Sequence, residues 1–280
     1  MSSLSRNAYG KSHVRLTRVA RHGAFHELTE MSVDIELQGD FAKCYTHGDN
    51  SSIVATDTMK NTVYAIAKKH PLTAIENFAQ ALASHFIEKF SHITSAMVYI
   101  EAEPWNRIEV HGHPHPHAFI SGGSEKRTTR VTRTRDRTRT EAGIIGMVVL
   151  KTTKSGFVGY IRDEYTTLKE TTDRIFATSV QASWLYNQQE VEWNESFQSV
   201  RQAMIDTFAQ HDSLSVQQTL YAMGEAALAA CPSMEEISLT MPNQHRILVN
   251  LEPFGMENKN EIFVATSEPF GLISGTIRRD

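Results

Sequence analysis

The sequence predicts an α+β fold, with antiparallel strands carrying helices on one face. Three observations predict it. Met31, Val33, Ile35 and Leu37 alternate with polar residues, the period-two signature of a strand with one wet face. Leu72, Ile75, Phe78, Ala79, Leu82, Phe86 and Phe90 recur at the spacing of a long amphipathic helix. Strands, then helices, then strands follow one another in runs, which favours an antiparallel sheet with helices on one face.

Taken in order, the elements are read as follows. A strand starts near Val14, and Met31 to Gln38 form the next, closed by a turn at Gly39-Asp40. Residues 51–55 read as the end of another short strand. Pro71 stands at the front of the long helix, where its missing N–H costs nothing. Val98 and Ile100 resume strand character, ending near Pro104, and 144–160 is strand-like with a break at Ser155-Gly156. Phe197, Val200, Met204 and Phe208 mark one helix, and Val216, Leu220, Met223 and Ala227 a second, with Ser213 or Ser215 as its N-cap. Ile237, Leu239 and Met241, then Ile247, Val249 and Leu251, alternate as closing strands. Two short echoes, 53–57 with 175–179 and Arg107-Ile108 with Arg246-Ile247, suggest an internal duplication.

Composition excludes several classes. A 280-residue chain that is 40% hydrophobic and 21% charged can bury a core and is not a disordered polymer. Its 28 basic and 32 acidic residues, net charge −4, give no global attraction to nucleic acid or to an anionic membrane. Cys44 and Cys231 are too few and too far apart for a disulfide framework or a cysteine metal site, so a cytoplasmic location is expected. The N-terminal segment has no signal-peptide core, and the C-terminal Arg278-Arg279-Asp280 is not the peroxisomal S-K-L address.

Several segments could carry chemistry. HGHPHPH places His111, His113, His115 and His117 at alternate positions, a spacing that could hold a metal. No cysteine lies nearby and two prolines set the backbone, so an exposed or subunit-contact loop is the expectation. Arg133, Arg135, Arg137 and Arg139 would share one face of an extended strand. Without interleaved aromatics to stack bases, a solvated strand or a subunit-facing surface is expected rather than a nucleic-acid ribbon. Lys11 reads as a strand-end residue, Thr56-Asp57 as a turn or helix cap, and Gln217 as an ordinary helix residue. Asn243 and His245, two apart after a strand, would point the same way.

Together, in order, five segments resemble the signature segments of the urate oxidase family. They are Tyr9-Gly10-Lys11 with Val14-Arg15, VATDTMKN (54–61), FVGYIRDEYTTLKETTDR (157–174), SVQQTLY (215–221) and MPNQH (241–245). The resemblance runs from about residue 9 to about residue 275. It implies two tandem tunnelling-fold units, expected at 1–140 and 141–280, whose sheets close into a barrel with those of a partner. Two such rings would stack as a homotetramer. It also implies oxidation of urate by O2 to 5-hydroxyisourate and H2O2, with no metal or organic cofactor and no nucleic-acid or membrane partner.

The resemblance further implies a site. Arg174 would clamp one edge of urate, Gln217 and the Val216 N–H would meet the other, and Phe157 would stack on the ring. Thr56 and Asp57 would touch substrate. Lys11, Thr56 and His245 would move protons, with Asn243 near the oxygen and water position. Lys11 and Thr56 would come from one subunit, and Phe157, Arg174, Val216, Gln217, Asn243 and His245 from its neighbour. The residue types suit a flat anion, because a planar guanidinium fork fits a flat edge and an aromatic ring supports a flat face. Two alternatives stay open: a purine- or pterin-acting enzyme of the same fold, and a non-catalytic urate-binding oligomer.

Overall fold

The computed structural model describes residues 3–280 and separates into two compact units. The first comprises Met1–Gly143 with Leu185–Asn194, the second Ile144–Trp184 with Glu195–Asp280. Both are α+β.

The first unit opens with β1 (Tyr9–His22) and β2 (Phe25–Gly39), a long antiparallel hairpin turning at Gly23, whose φ of 64° suits a residue without Cβ. Three helices follow: α1 (Ala42–His47), α2 (Thr56–Lys69) and α3 (Ile75–Lys89). Then come β3 (Ile93–Ala102), the hairpin β4 (Trp105–Val110) and β5 (His113–Ser121), β6 (Lys126–Thr134) and the start of β7 (Thr138–Lys151). The strand order is β1-β2-β3-β6-β7, with antiparallel pairing registered from β1 to β6. Met31, Val33, Ile35 and Leu37 are all buried, as the alternation requires, and meet Phe78, Leu82 and Phe86 of α3 in one core. Each such side chain contributes roughly 1.5–3 kcal/mol by leaving water.

The second unit holds the rest of β7, then β8 (Phe176–Tyr186), α4 (Trp193–Gln210), α5 (Val216–Ala230), β9 (Met234–Asn243), β10 (Arg246–Leu248), β11 (Phe263–Ala265) and β12 (Gly271–Arg278), in the order β7-β8-β9-β12. The ends of β8 and α4 belong to the first unit. α5 lies on β9 and β12, and Gly224 lets it approach, since a Cβ there would run into Ile277. Trp184 packs near Phe197, and Phe176 near Phe208.

Several expectations need correction. Residues 51–55 are a turn and extended segment rather than a strand, and they lead into α2, a helix the apolar spacing did not announce. Its buried stripe is thin, only Met59, Val63 and Ala67. The echo between 53–57 and 175–179 therefore joins a helix entry to a strand start. The long helix begins at Ile75 instead of at Pro71, because Leu72 takes a left-handed φ of 55° and Ala74 is extended. β7 ends at Lys151, well before residue 160, and β10 stops at Leu248, before Val249 and Leu251.

The histidine run is a hairpin, not a loop. His111 and Gly112 form its turn with φ of 53° and 78°, and His115 and His117 stand with ring centroids 4.6 Å apart. Among the described residues, no group of three or more His, Cys, Asp or Glu side chains is arranged to hold a metal ion.

The arginine segment also turns back on itself: β6 ends at Thr134, whose N–H donates to the Arg137 carbonyl at 2.9 Å. Arg133 pairs with Glu88 and Arg139 with Glu141. Nearby Arg127 holds the fully buried Glu76 with two hydrogen bonds, of 2.7 and 3.3 Å. Burial raises the Glu76 pKa, against the opposing Arg127 charge.

Candidate active site

Lys11, Thr56 and Asp57 belong to the first unit. A tyrosine brings them together. The Tyr9 hydroxyl accepts the Val54 N–H at 2.8 Å and donates to the Val54 carbonyl at 3.1 Å, while its ring meets Phe41 edge-on at 4.8 Å. Burial raises the Tyr9 pKa, so the hydroxyl keeps its proton. Two residues beyond each anchor stand Lys11 and Thr56. Gly10 is required between them and β2, because a Cβ would collide with the Ile35 carbonyl. The β1–β2 register then slips between Lys11 and Val14, a bulge in which His13 adopts a φ of 56° and donates its N–H to Asp34 at 2.5 Å. Bulges of this kind re-aim neighbouring side chains.

Thr56 is the first residue of α2. Asp57 follows, and its carboxylate accepts from Lys60 at 2.5 Å and Asn61 at 2.9 Å. Those partners, Lys60 first, lower its pKa, and the Lys11 charge acts in the same direction. With its carboxylate oxygens engaged on its own helix, what Asp57 offers a ligand is its first-turn backbone N–H.

The other six candidates belong to the second unit. Residues 152–175 form a long irregular excursion between β7 and β8. Phe157 and Thr171 pair across it, with N–H to O distances of 2.7 and 3.2 Å. Tyr160 stacks on Phe157 at 4.9 Å and 10°, and the Arg174 guanidinium lies 5.5 Å from the Phe157 centroid. Burial lowers the Arg174 pKa, yet a guanidinium stays charged at any ordinary pH. Asp173 secures the approach to Arg174: its carboxylate accepts the Thr153 hydroxyl at 2.8 Å and lies 3.5 Å from the Ser155 N–H. The Thr153 bond holds its pKa below the usual carboxylate value.

The start of α5 is tied to this segment. The Gly156 N–H donates to the Ser213 carbonyl at 2.8 Å, and the Ser213 N–H to the Lys154 carbonyl at 3.0 Å. Ser215 is the N-cap: its hydroxyl accepts the Gln218 N–H at 3.1 Å, and the Gln218 side chain accepts the Leu214 N–H at 3.0 Å, a reciprocal cap. The cap leaves the first-turn N–H groups of Val216 and Gln217 without helical acceptors. Val216 is buried and the Gln217 side chain exposed.

Asn243 ends β9, and both it and His245 are half-buried. The Gln244 N–H between them donates to the Ala177 carbonyl at 2.9 Å, which holds this corner to the strand that leaves Arg174. Within the second unit the structure thus joins Phe157, Arg174, Val216, Gln217 and the Asn243–His245 corner through backbone bonds. Sequence reasoning missed Tyr160, Thr153, Asp173 and Ser213 as supports. Tyr160 and Asp173 carried a signal as members of the 157–174 segment, and Ser213 as a candidate N-cap; Thr153 carried none.

A family model described as uricase matches residues 7–132 and 140–274. The uricase of Arthrobacter globiformis is 45% identical over 277 residues, covering 99% of this chain and 90% of that protein. The uricase of Aspergillus flavus is 40% identical over 295 residues, covering 100% and 98%. The crystal structure of the Arthrobacter globiformis uricase superposes with a TM-score of 0.95 at 44% identity, over 100% of this chain and 96% of that one. A uricase from Bacillus fastidious gives 0.84 at 25% identity, over 98% and 94%.

Proposed function

The chain belongs to the uricase family, and on that premise we propose that it oxidises urate with O2 and water to 5-hydroxyisourate and hydrogen peroxide. The observation that carries this reading is the Arg174 guanidinium beside the Phe157 ring, with the open first turn of α5 tied to the same segment. A flat anion can stack on Phe157, place one polar edge on the guanidinium fork and turn the other toward the Val216 N–H and the Gln217 amide. Tyr160 braces the platform.

Further deprotonated urate is electron-rich enough to reduce oxygen directly, so the reading needs no metal or organic cofactor. Lys11, Thr56 and His245 take and pass the protons. Asn243 holds the oxygen and water position. Thr56 and Asp57 present the first turn of α2 to the ligand. Lys11, Thr56 and Asp57 of one chain complete the site of a neighbouring chain in a homotetramer, whose barrels close the exposed edges of β1 and β12. The two units serve as tandem tunnelling-fold repeats. Both cysteines are free, which supports a cytoplasmic setting, and among the described residues no helix is long and apolar enough to cross a membrane.

The test is urate consumption after chelator treatment, followed by loss of urate absorbance and by peroxide. One peroxide per urate in the stripped protein is expected. Activity that disappears and returns with one metal overturns the cofactor-free reading. Urate that binds and is not consumed overturns the enzymatic one.

A further inference from the structure

Ser213 sits beneath the first turn of α5, 1% exposed. Its backbone bonds both ways to residues 154 and 156, next to Phe157. Its side chain lies in a buried polar chain. The Ser213 hydroxyl donates to the Ser215 carbonyl at 3.1 Å and accepts from the Thr219 hydroxyl at 2.7 Å. The Thr219 oxygen in turn lies 3.2 Å from Nδ1 of His211. The Ser215 carbonyl can only accept, and each hydroxyl has one proton to give. With both hydroxyls donating toward that carbonyl, the remaining partner must donate as well, so His211 carries its proton on Nδ1. Burial, then the Lys151 charge, lowers the His211 pKa, which favours the neutral ring; the hydrogen-bond chain, not the charge, sets the tautomer. The Lys151 ammonium is itself fixed on the His211 carbonyl at 2.5 Å.

This chain is not what ends the helix, because Ser215 and Gln218 already cap it. It fixes Ser213, the residue through which the helix start is joined to the aromatic platform. We infer that His211, Thr219 and Ser213 are positioning residues: a directional hydrogen-bond chain that sets the spacing between Phe157 and the Val216–Gln217 turn. The inference rests on the urate reading above, since it assigns those two groups to one ligand. Breaking one link takes the acceptor from the His211 ring N–H or the donor from a buried hydroxyl oxygen and lets the two substrate-facing elements shift.

The experiment compares wild type with Thr219→Val, which keeps the shape and removes the hydroxyl, and Thr219→Ser, which keeps the hydroxyl. Urate affinity is measured by equilibrium dialysis without oxygen, alongside KM and kcat in air. Thr219→Val is expected to weaken urate binding about tenfold, with KM following, and Thr219→Ser to stay within about twofold of wild type. His211→Leu, at the half-exposed end of the chain, should match Thr219→Val, and the double variant should be little worse than either, because both break one chain. Nitrogen NMR of wild type should show His211 protonated at Nδ1. Unchanged affinity in Thr219→Val, a serine variant as weak as the valine one, additive losses, or an Nε2–H tautomer each overturns the inference. If Thr219→Val does not fold, His211→Leu and the tautomer decide. Wild type that binds no urate overturns the substrate reading and this inference together. Wild type that binds it, with both variants binding equally well, overturns this inference alone.

Discussion

The half-site around Lys11 and the half-site around Phe157 are held by different kinds of structure. Lys11 and Thr56 stand near the start of a 14-residue strand and at the start of a 14-residue helix, both rooted in one apolar core and tied through the two bonds of Tyr9 to Val54. Phe157 and Arg174 stand on an excursion without regular structure, joined to the segment before α5 by the backbone bonds of Ser213 and braced internally by a few discrete bonds of Asp173 and Thr171. A regular scaffold places a side chain through many small contacts, so its loss is graded. A loop placed by a few bonds depends on each of them. The groups assigned to proton transfer are mostly on the first kind of support, and those assigned to ring binding on the second.

Substitutions can break or sharpen this contrast. The largest effect is expected from Lys11→Met: kcat falls by about 10²–10⁴-fold with KM little changed, and the residual rate rises with pH as solvent takes over proton removal. A change confined to KM in steady-state kinetics across pH rejects the proton role. Next comes Arg174→Ala, which removes a charge-assisted bond and weakens urate binding by at least about tenfold. Mixing inactive Lys11→Ala and Arg174→Ala chains should restore activity at interfaces that pair two intact halves. Proven mixing with no recovery means that the site is not shared.

Tyr9→Phe tests the scaffolded half. It strips both Val54 bonds and should lower stability by about 1–2 kcal/mol in denaturant titration, with a drop in kcat as Thr56 drifts from Lys11. Full activity in a destabilised variant would show that Tyr9 supports the fold alone. The smallest effect is expected from Asp173→Asn, a rise in KM of about twofold at neutral pH. Because the Asp173 pKa is lowered, its contribution is present above the unfolded value of about 3.9 and lost as pH falls through the folded one. Wild type should therefore show a step of lost urate affinity only as pH falls through the lowered Asp173 value, beneath the ordinary carboxylate range, and the asparagine variant should lack that step. Parallel acid profiles in anaerobic binding would remove Asp173 from the support of Arg174.

The buried faces of β2, β3 and β9, the registers of α3 and α5, and a serine cap at 213 or 215, which the structure resolves to Ser215, were legible in the sequence. Each is a local property, written in the spacing of apolar residues or in one capping pattern. The order of the motif segments was legible too, and with it the family. α2 was less so, since a stripe of three buried residues on a polar segment is a thin signal. The hairpins at His111-Gly112 and 135–137 were hidden because their turn residues, Gly112 and Asp136, each stand alone inside an alternating histidine or arginine repeat that reads equally well as one extended run. What the tertiary structure alone decided is which segments meet. Tyr9 finds Val54 across 45 residues, and Gly156 finds Ser213 across a strand and a helix, so the strand that carries Lys11 is tied to the segment leading into Thr56, and Phe157 to the segment leading into α5. Such contacts arise from how the packed strands and helices route the chain, and no periodicity within one segment records the path of another.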